Sequence, residues 1–211
     1  MKLYSSFHSS AGYRLRIALN LKDLPYETVP VDLTRDGGDH KRADYRAINP
    51  QMRVPALRLS SGDTLIQSLA IIEYLDEVFP DPPLLPADAL GRSRARAVAQ
   101  IVACDIHPLN NSGTIAYLRG PLGQNQPAID AWYASWITSG FEAIEALIEP
   151  APYAFGSHPT LADLCIVPQV HNARRFNVPL DRFPKIVAVD AACLKLAAFD
   201  KASPKNQPDA R

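Results

Sequence analysis

Up to Pro80 the hydrophobic positions switch between two rhythms. Lys2-Leu3-Tyr4 reads as a short strand, and the stripe Leu15, Ile17, Ala18, Leu19 and Leu21 marks a helix over Arg14–Leu21. Tyr26–Val31 (YETVPV) alternates apolar with polar residues, a half-buried strand that Pro30 pushes to a sheet edge because proline cannot donate to a ladder. Thr34–His40 contains Gly37-Gly38 and reads as a loop, and Lys41–Ile48 as a short polar helix that must stop before Asn49-Pro50. Ala56–Leu59 and Thr64–Ile66, joined by Ser60-Ser61-Gly62-Asp63, form a hairpin. Ser68 is expected to cap a helix striped by Leu69, Ile72, Tyr74, Leu75 and Val78. The order β-α-β-α-β-β-α predicts a four-stranded mixed sheet with helices on its faces.

Phe79-Pro80-Asp81-Pro82-Pro83, with Pro86 soon after, ends that pattern and reads as a stiff linker. Beyond Asp88 the rhythm is helical throughout. A long helix is expected over Leu90–Leu118, bent at His107-Pro108. Another spans Ala128–Ile148, with Ile129, Trp132, Trp136, Ile137, Phe141, Ile144 and Leu147 at helical spacing. Thr160-Leu161-Ala162-Asp163 has the form of a capping box opening the apolar run Leu161–Val170. Shorter helices are expected near Ile186–Cys193 and Leu196–Phe199, and the polar, proline-bearing tail from Ser203 is expected to fray.

Composition narrows the functions open to such a chain. Lys and Arg (22) balance Asp and Glu (22), which gives no support to a nucleic-acid or acidic-membrane partner. No run approaches the length of a membrane span, and Met1–Tyr4 runs into Ser5-Ser6 without the apolar core of a signal peptide. The 3 cysteines, Cys104, Cys165 and Cys193, form no CxxC pair and read as thiols, pointing to the reducing cytoplasm. The 5 histidines are dispersed without metal-site spacing, and no phosphate-binding glycine loop occurs, so no metal or nucleotide site is expected.

Two sites of candidate chemistry fall at helix starts. Ser9 and Ser10 lie between the first strand and first helix, where backbone N–H groups without acceptors favour an anion. Gln67-Ser68 opens a later helix in the same way. From the residues alone, both could equally be ordinary caps, and Val54-Pro55 an ordinary trans turn.

Longer segments carry a resemblance. Ser9–Leu19 (SSAGYRLRIAL) is similar to the zeta-class glutathione transferase signature SSC-x-x-R-V-R-I-A-L. Asn49-Pro50 followed by Val54-Pro55, the run Gln67–Leu75 (QSLAIIEYL), Leu84-Leu85-Pro86, Ala162-Asp163-Leu164 with Val167–Val170, Ala173–Phe176 and Gln207-Pro208-Asp209 match that class as well. The resemblance covers essentially the whole chain. It implies a glutathione transferase fold, α/β then all-α. Residues 1–80 would form a thioredoxin-like, glutathione-binding domain (βαβαββα), 81–88 a linker, and 89–211 an all-helical substrate-binding and dimerisation domain. It implies glutathione as cofactor, a homodimer, and cis–trans isomerisation of a maleyl keto acid, maleylacetoacetate or maleylpyruvate. Conjugation or dehalogenation of small halo acids, and a non-catalytic binding role, are the alternatives.

The resemblance also implies roles. Ser9 and Ser10 would keep the glutathione sulfur ionised. Val54, preceding a cis-proline, would pair its backbone with the cysteinyl unit, and Gln67 and Ser68 would take the γ-glutamyl carboxylate. His40, Arg53, His107 and Asn111 fall where relatives contact or approach glutathione, though each could be a surface or core residue. Arg175 would fork onto a substrate carboxylate, the alternative being a surface salt bridge, and His8 could assist it. Two departures stand out. Ala11 replaces the signature cysteine, and His8 and Ser112 stand where some maleylpyruvate isomerases carry arginines.

Overall fold

The strands form where the alternation places them. β1 (Lys2–Ser5), β2 (Glu27–Pro30), β3 (Ala56–Arg58) and β4 (Thr64–Ile66) make one sheet in the order β2-β1-β3-β4. β2 runs parallel to β1, with Leu3 opposite Thr28, while β3 is antiparallel to both β1 and β4. Pro30 ends β2, and β2 is an edge strand, so its missing N–H costs the ladder nothing. α1 (Ser10–Leu21) is the crossover between β1 and β2, followed by the short α2 (Ala43–Ile48) and by α3 (Ser68–Val78). The computed structural model describes residues 1–210. It divides into two units, Met1–Leu84 together with the chain from Leu194 onward, and Leu85–Cys193.

In the first unit α1 is buried on nearly every face, by Leu15, Ile17, Ala18 and Leu19 and also by Arg14 and Arg16, each 1% exposed. The proline-rich segment after α3 is tied down by Lys22. Its buried Nζ donates to Asp76 Oδ1 (2.8 Å), Phe79 O (2.6 Å) and Pro82 O (2.9 Å), and Asp76 Oδ1 also accepts from Leu84 N–H at 2.8 Å. Three acceptors on one buried ammonium explain why the chain stays with the first unit as far as Leu84. Ser68 is the first residue of α3 and not its cap. Gln67 takes the cap position at φ 69°, and no side chain caps the helix.

The second unit is helical. The single bent helix expected over Leu90–Leu118 is instead broken twice. α4 (Ala89–Gln100) runs into a π-helical stretch, Ile101–Ile106, then α5 (His107–Asn110) and α6 (Ser112–Arg119). Pro108 has no N–H to return to the preceding turn, and the wider turn before it takes up the mismatch, with His107 N–H donating to Val102 O. Asn111 then ends one helix and caps the next. α7 (Gln126–Leu147) and α8 (Leu161–Arg175) follow the predicted stripes, and α9 (Pro184–Cys193) closes the unit. Residues Leu161–Val170 are buried without exception, with α8 packed on α4 and α9.

α10 (Ala197–Ala202) packs on α1, and the tail beyond it does not fray. Pro204 and Gln207 are buried. Gln207 Nε2 donates to Lys201 O and Ser203 O at 2.9 Å each, and Asp209 accepts from Phe7 N–H. Polarity suggested an unanchored tail; two local bonds from Gln207 and one long-range bond from Phe7 supply the anchor.

The capping box is present as read. Asp163, fully buried, accepts from Thr160 N–H (2.7 Å), Thr160 Oγ1 (2.9 Å) and Ala154 N–H (2.8 Å). Burial pushes its carboxyl up while these bonds pull it down. Asp163→Ala would strand two buried N–H donors, so it should destabilise the protein by about 3 kcal/mol or more, measurable as a lower denaturant midpoint at unchanged slope.

Candidate active site

The first turn of α1 is built from short side chains and one glycine. Ser9 is the cap: its Oγ accepts from Gly12 N–H at 3.0 Å, and its carbonyl accepts from Tyr13 N–H at 2.8 Å. Gly12 is required by close approach, since a Cβ there would run into Ser5 Oγ and crowd Arg16 and Ser9. Ser9 is half-buried, whereas Ser10 and Ala11 are buried. An oxygen that accepts the cap bond still carries its own proton. Capping and donation to an outside acceptor are therefore compatible at Ser9, beside first-turn N–H groups and the positive end of the helix.

The first turn of α3 offers a second set of such donors. No side chain caps it, because Gln67 Nε2 donates instead to Gln51 Oε1 at 2.7 Å. Ser68 is buried, and Arg14 Nη1 donates to its Oγ at 3.4 Å, linking the two helix starts through a cation. An uncapped helix terminus with a hydroxyl and a nearby guanidinium fits a carboxylate. That is what the γ-glutamyl end of glutathione presents.

Val54 precedes a cis peptide bond to Pro55 and lies just outside β3. Its position is set by two residues to which the sequence reading gave no role. Asn49, 1% exposed, donates from Nδ2 to Arg53 O at 2.6 Å and accepts from Gln51 N–H at 2.9 Å. Tyr45 OH donates to the same Arg53 O at 2.8 Å. The Asn-Pro dipeptide drew notice to Asn49 but not to its partner, and nothing marked Tyr45; both reach the same backbone carbonyl. The side chain of Arg53 is exposed. His40 sits in a separate turn, Asp39–Lys41, with Gly38 against its ring, and burial followed by the charge of Lys41 lowers its pKa. His8 is exposed, with its ring 3.7 Å from that of Phe7.

The other predicted residues belong to the second unit. His107 opens α5 and is half-buried. Asn111 uses both ends of its amide locally, accepting from Gly113 and Thr114 N–H and donating to Pro108 O at 2.6 Å. Arg174 and Arg175 end α8 with different roles. Arg174 pairs with buried Asp190 at 2.6 Å. Exposed Arg175 pairs with no carboxylate among the described residues, and its guanidinium lies 5.2 Å from the Phe176 ring centre. Phe176 stacks on Tyr133 at 3.9 Å, and burial pushes the Tyr133 phenol up to about 12 against the opposing charges of Arg175 and Arg119. Arg175 is thus a planar cation beside an aromatic stack, with no counter-ion among the described residues.

Comparison with known proteins identifies the family. Residues 8–78 match the family described as glutathione S-transferase, N-terminal domain, and residues 126–190 its C-terminal domain. A maleylpyruvate isomerase from Ralstonia sp is 53% identical over 213 residues, 99% of each chain. A solved holo maleylpyruvate isomerase, described as a bacterial zeta-class glutathione S-transferase, is 52% identical with a TM-score of 0.96, covering 100% of both chains. A maleylacetoacetate isomerase from Methylobacterium extorquens AM1, solved with malonate and glutathione, is 36% identical with a TM-score of 0.95, also over 100% of both. The chain belongs to the glutathione S-transferase family and, within it, to the zeta class. Its fold is that of the family, a thioredoxin-like domain followed by a helical one. Among the described residues no helix is long and apolar enough to cross a membrane, and no group of three His, Cys, Asp or Glu side chains is placed to hold a metal ion.

Ser9→Ala separates the two roles of the cap. Loss of the cap bond should lower stability by about 1 kcal/mol. Loss of the donor, a charge-assisted bond of about 1.5–3 kcal/mol, should move the acid limb of the pH–rate profile up by about 1–2 units. At neutral pH kcat should fall about ten- to a hundredfold, with Ser10→Ala affected less.

Proposed function

We propose that this protein is a glutathione-dependent cis–trans isomerase of maleyl keto acids, working as a cytoplasmic homodimer in the breakdown of aromatic compounds. The observation that carries the reading is the start of α1, where Ser9 accepts the cap bond yet keeps a proton to donate. Glutathione, when bound, supplies a thiolate that adds reversibly to the cis double bond, making it single long enough to turn.

The chain's own residues prepare and steer that chemistry. Ser9 Oγ donates to the sulfur and, with the first-turn N–H groups of α1, favours thiolate over thiol. That matters because a free thiol with a pKa of about 8.5 is only a few per cent ionised at neutral pH. Ser10 serves as a second donor. Ser68 and the open first turn of α3, backed by Arg14, hold the γ-glutamyl carboxylate, with Gln67 at the same turn. The Val54 backbone, fixed through Asn49 and Tyr45, pairs with the cysteinyl unit. Arg53, His40 and His107 are peripheral to glutathione in this reading, and Asn111 acts first as a helix cap.

Arg175 takes a carboxylate of the diacid substrate. A guanidinium beside the Phe176 ring, with no carboxylate partner among the described residues, is available for a bidentate pair, which favours this role over a surface salt bridge. His8 offers a hydrogen bond where a second arginine would bind a shorter keto acid more firmly. Ala11 supplies no protein thiol, so the chemistry depends on the cofactor's sulfur.

Purified protein assayed on maleylacetoacetate and maleylpyruvate, with and without glutathione, tests the reading. Conversion to the fumaryl product should require glutathione, and rates that survive complete removal of thiols would sink the mechanism. Arg175→Ala should raise KM for the acid about tenfold or more while glutathione affinity stays near wild type. An unchanged KM in a folded variant would remove Arg175 from the site.

A further inference from the structure

The loop that delivers Ser9 is held from the far end of the chain. Phe7 N–H donates to Asp209 Oδ2 at 3.0 Å, a bond between residues 202 positions apart. Arg16 holds the same loop from beneath. Its Nη2 donates to Phe7 O at 3.2 Å, its Nη1 to Ser5 Oγ and Ser6 O at 3.4 Å each, and its Nε to Ala202 O at 2.9 Å. Ser6 O also accepts from Ser9 N–H at 3.0 Å. The Ser6 and Phe7 carbonyls are therefore held by Arg16, the Phe7 N–H between them by Asp209, and the bond from Ser9 N–H to Ser6 O leads on to Ser9 itself.

We infer that Asp209 is a positioning residue for the thiolate site, acting through Phe7 and Arg16 to fix the Ser5–Ser9 loop and hence the direction in which the Ser9 hydroxyl donates. This rests on the role of Ser9 in the proposed function. The electrostatics run the same way. Burial pushes Arg16 down to about 10, and Tyr26, Asp209 and Tyr13 oppose that shift. Asp209 thus meets two needs of one short loop, an acceptor for an N–H and a negative charge near a buried guanidinium. Neither need would be met by a tail that only covered apolar surface.

The test uses the full chain with glutathione bound and two readouts besides turnover: hydrogen exchange at the Phe7–Ser10 amides, and the ultraviolet titration of the bound thiol. Asp209→Ala should speed exchange at those amides about tenfold. It should also raise the thiol midpoint by about 0.5–1 unit and lower kcat at neutral pH about three- to tenfold, with KM for the acid within about twofold of wild type. Asp209→Asn, which keeps an oxygen for Phe7 N–H, should recover at least half of the midpoint shift. In a Ser9→Ala background Asp209→Ala should move the midpoint no further, because its effect passes through Ser9. A folded Asp209→Ala protein with the wild-type midpoint would overturn the inference. If that variant does not fold, Asp209→Glu decides, with a smaller rise expected and an unchanged midpoint contradicting it. A wild-type protein that leaves the bound thiol at its free midpoint would instead overturn the reading of Ser9 on which this rests.

Discussion

A guanidinium does not give up its charge inside a protein, so a buried arginine must be surrounded by acceptors. Arg16 sets this requirement at the centre of the first unit. It is 1% exposed, and it finds its acceptors in Ser5, Ser6, Phe7 and Ala202. Meeting that demand determines much else. β1 has to end in a loop whose carbonyls turn inward. Residue 12 has to be glycine so that α1 can approach Ser5, and the chain has to return after Cys193 to bring Ala202 against α1. The loop shaped in this way is the one that ends at Ser9.

From there the chemistry follows from how α-helices begin. The first-turn N–H groups have no intrahelical acceptor, and the sequence treats its two important helix starts differently. At α1 a serine accepts one of those donors and keeps a hydroxyl proton for something else. At α3 the cap position is held by Gln67 at positive φ, with its side chain turned to Gln51, so the first turn stays open beside Ser68 and Arg14. One start suits a sulfur anion and the other a carboxylate, the two charged features that a γ-glutamyl thiol presents. Within the second unit, Arg174 satisfies Asp190 while Arg175 pairs with no carboxylate among the described residues. One arginine thus anchors structure and its neighbour remains available for a ligand.

What was legible in the sequence was local. The strand alternation, the Pro30 edge, the Thr160–Asp163 box and the helical stripes each depend on neighbours within a few residues. The strands and the box appear within a residue or two of where the pattern placed them, whereas α1 starts four residues before the expected Arg14 and α8 runs five residues past Val170. Ser9 was read as a cap and is one, whereas Ser68, also read as a cap, is the first residue of α3. What was not legible depends on backbone partners, near or far in sequence. The tail looked frayed because Gln207 and Asp209 are polar; the backbone atoms that hold them lie on Lys201 and Ser203 and, far away in sequence, on Phe7. Asn49 and Tyr45 both act on a carbonyl, which no side-chain pattern records. The π-helical stretch before Pro108 is a compromise of backbone geometry between α4 and α5, and the apolar positions read the same through either turn.

The claim on which everything rests is that the start of α1 binds glutathione as its thiolate. Calorimetric titration of glutathione at pH 7, repeated in buffers of different ionisation enthalpy, counts the protons released on binding. If the site lowers the thiol pKa from about 8.5 to about 6.5, close to 0.7 proton per site should leave. Binding with essentially no proton release would mean that the sulfur stays protonated and that the start of α1 is a helix cap alone.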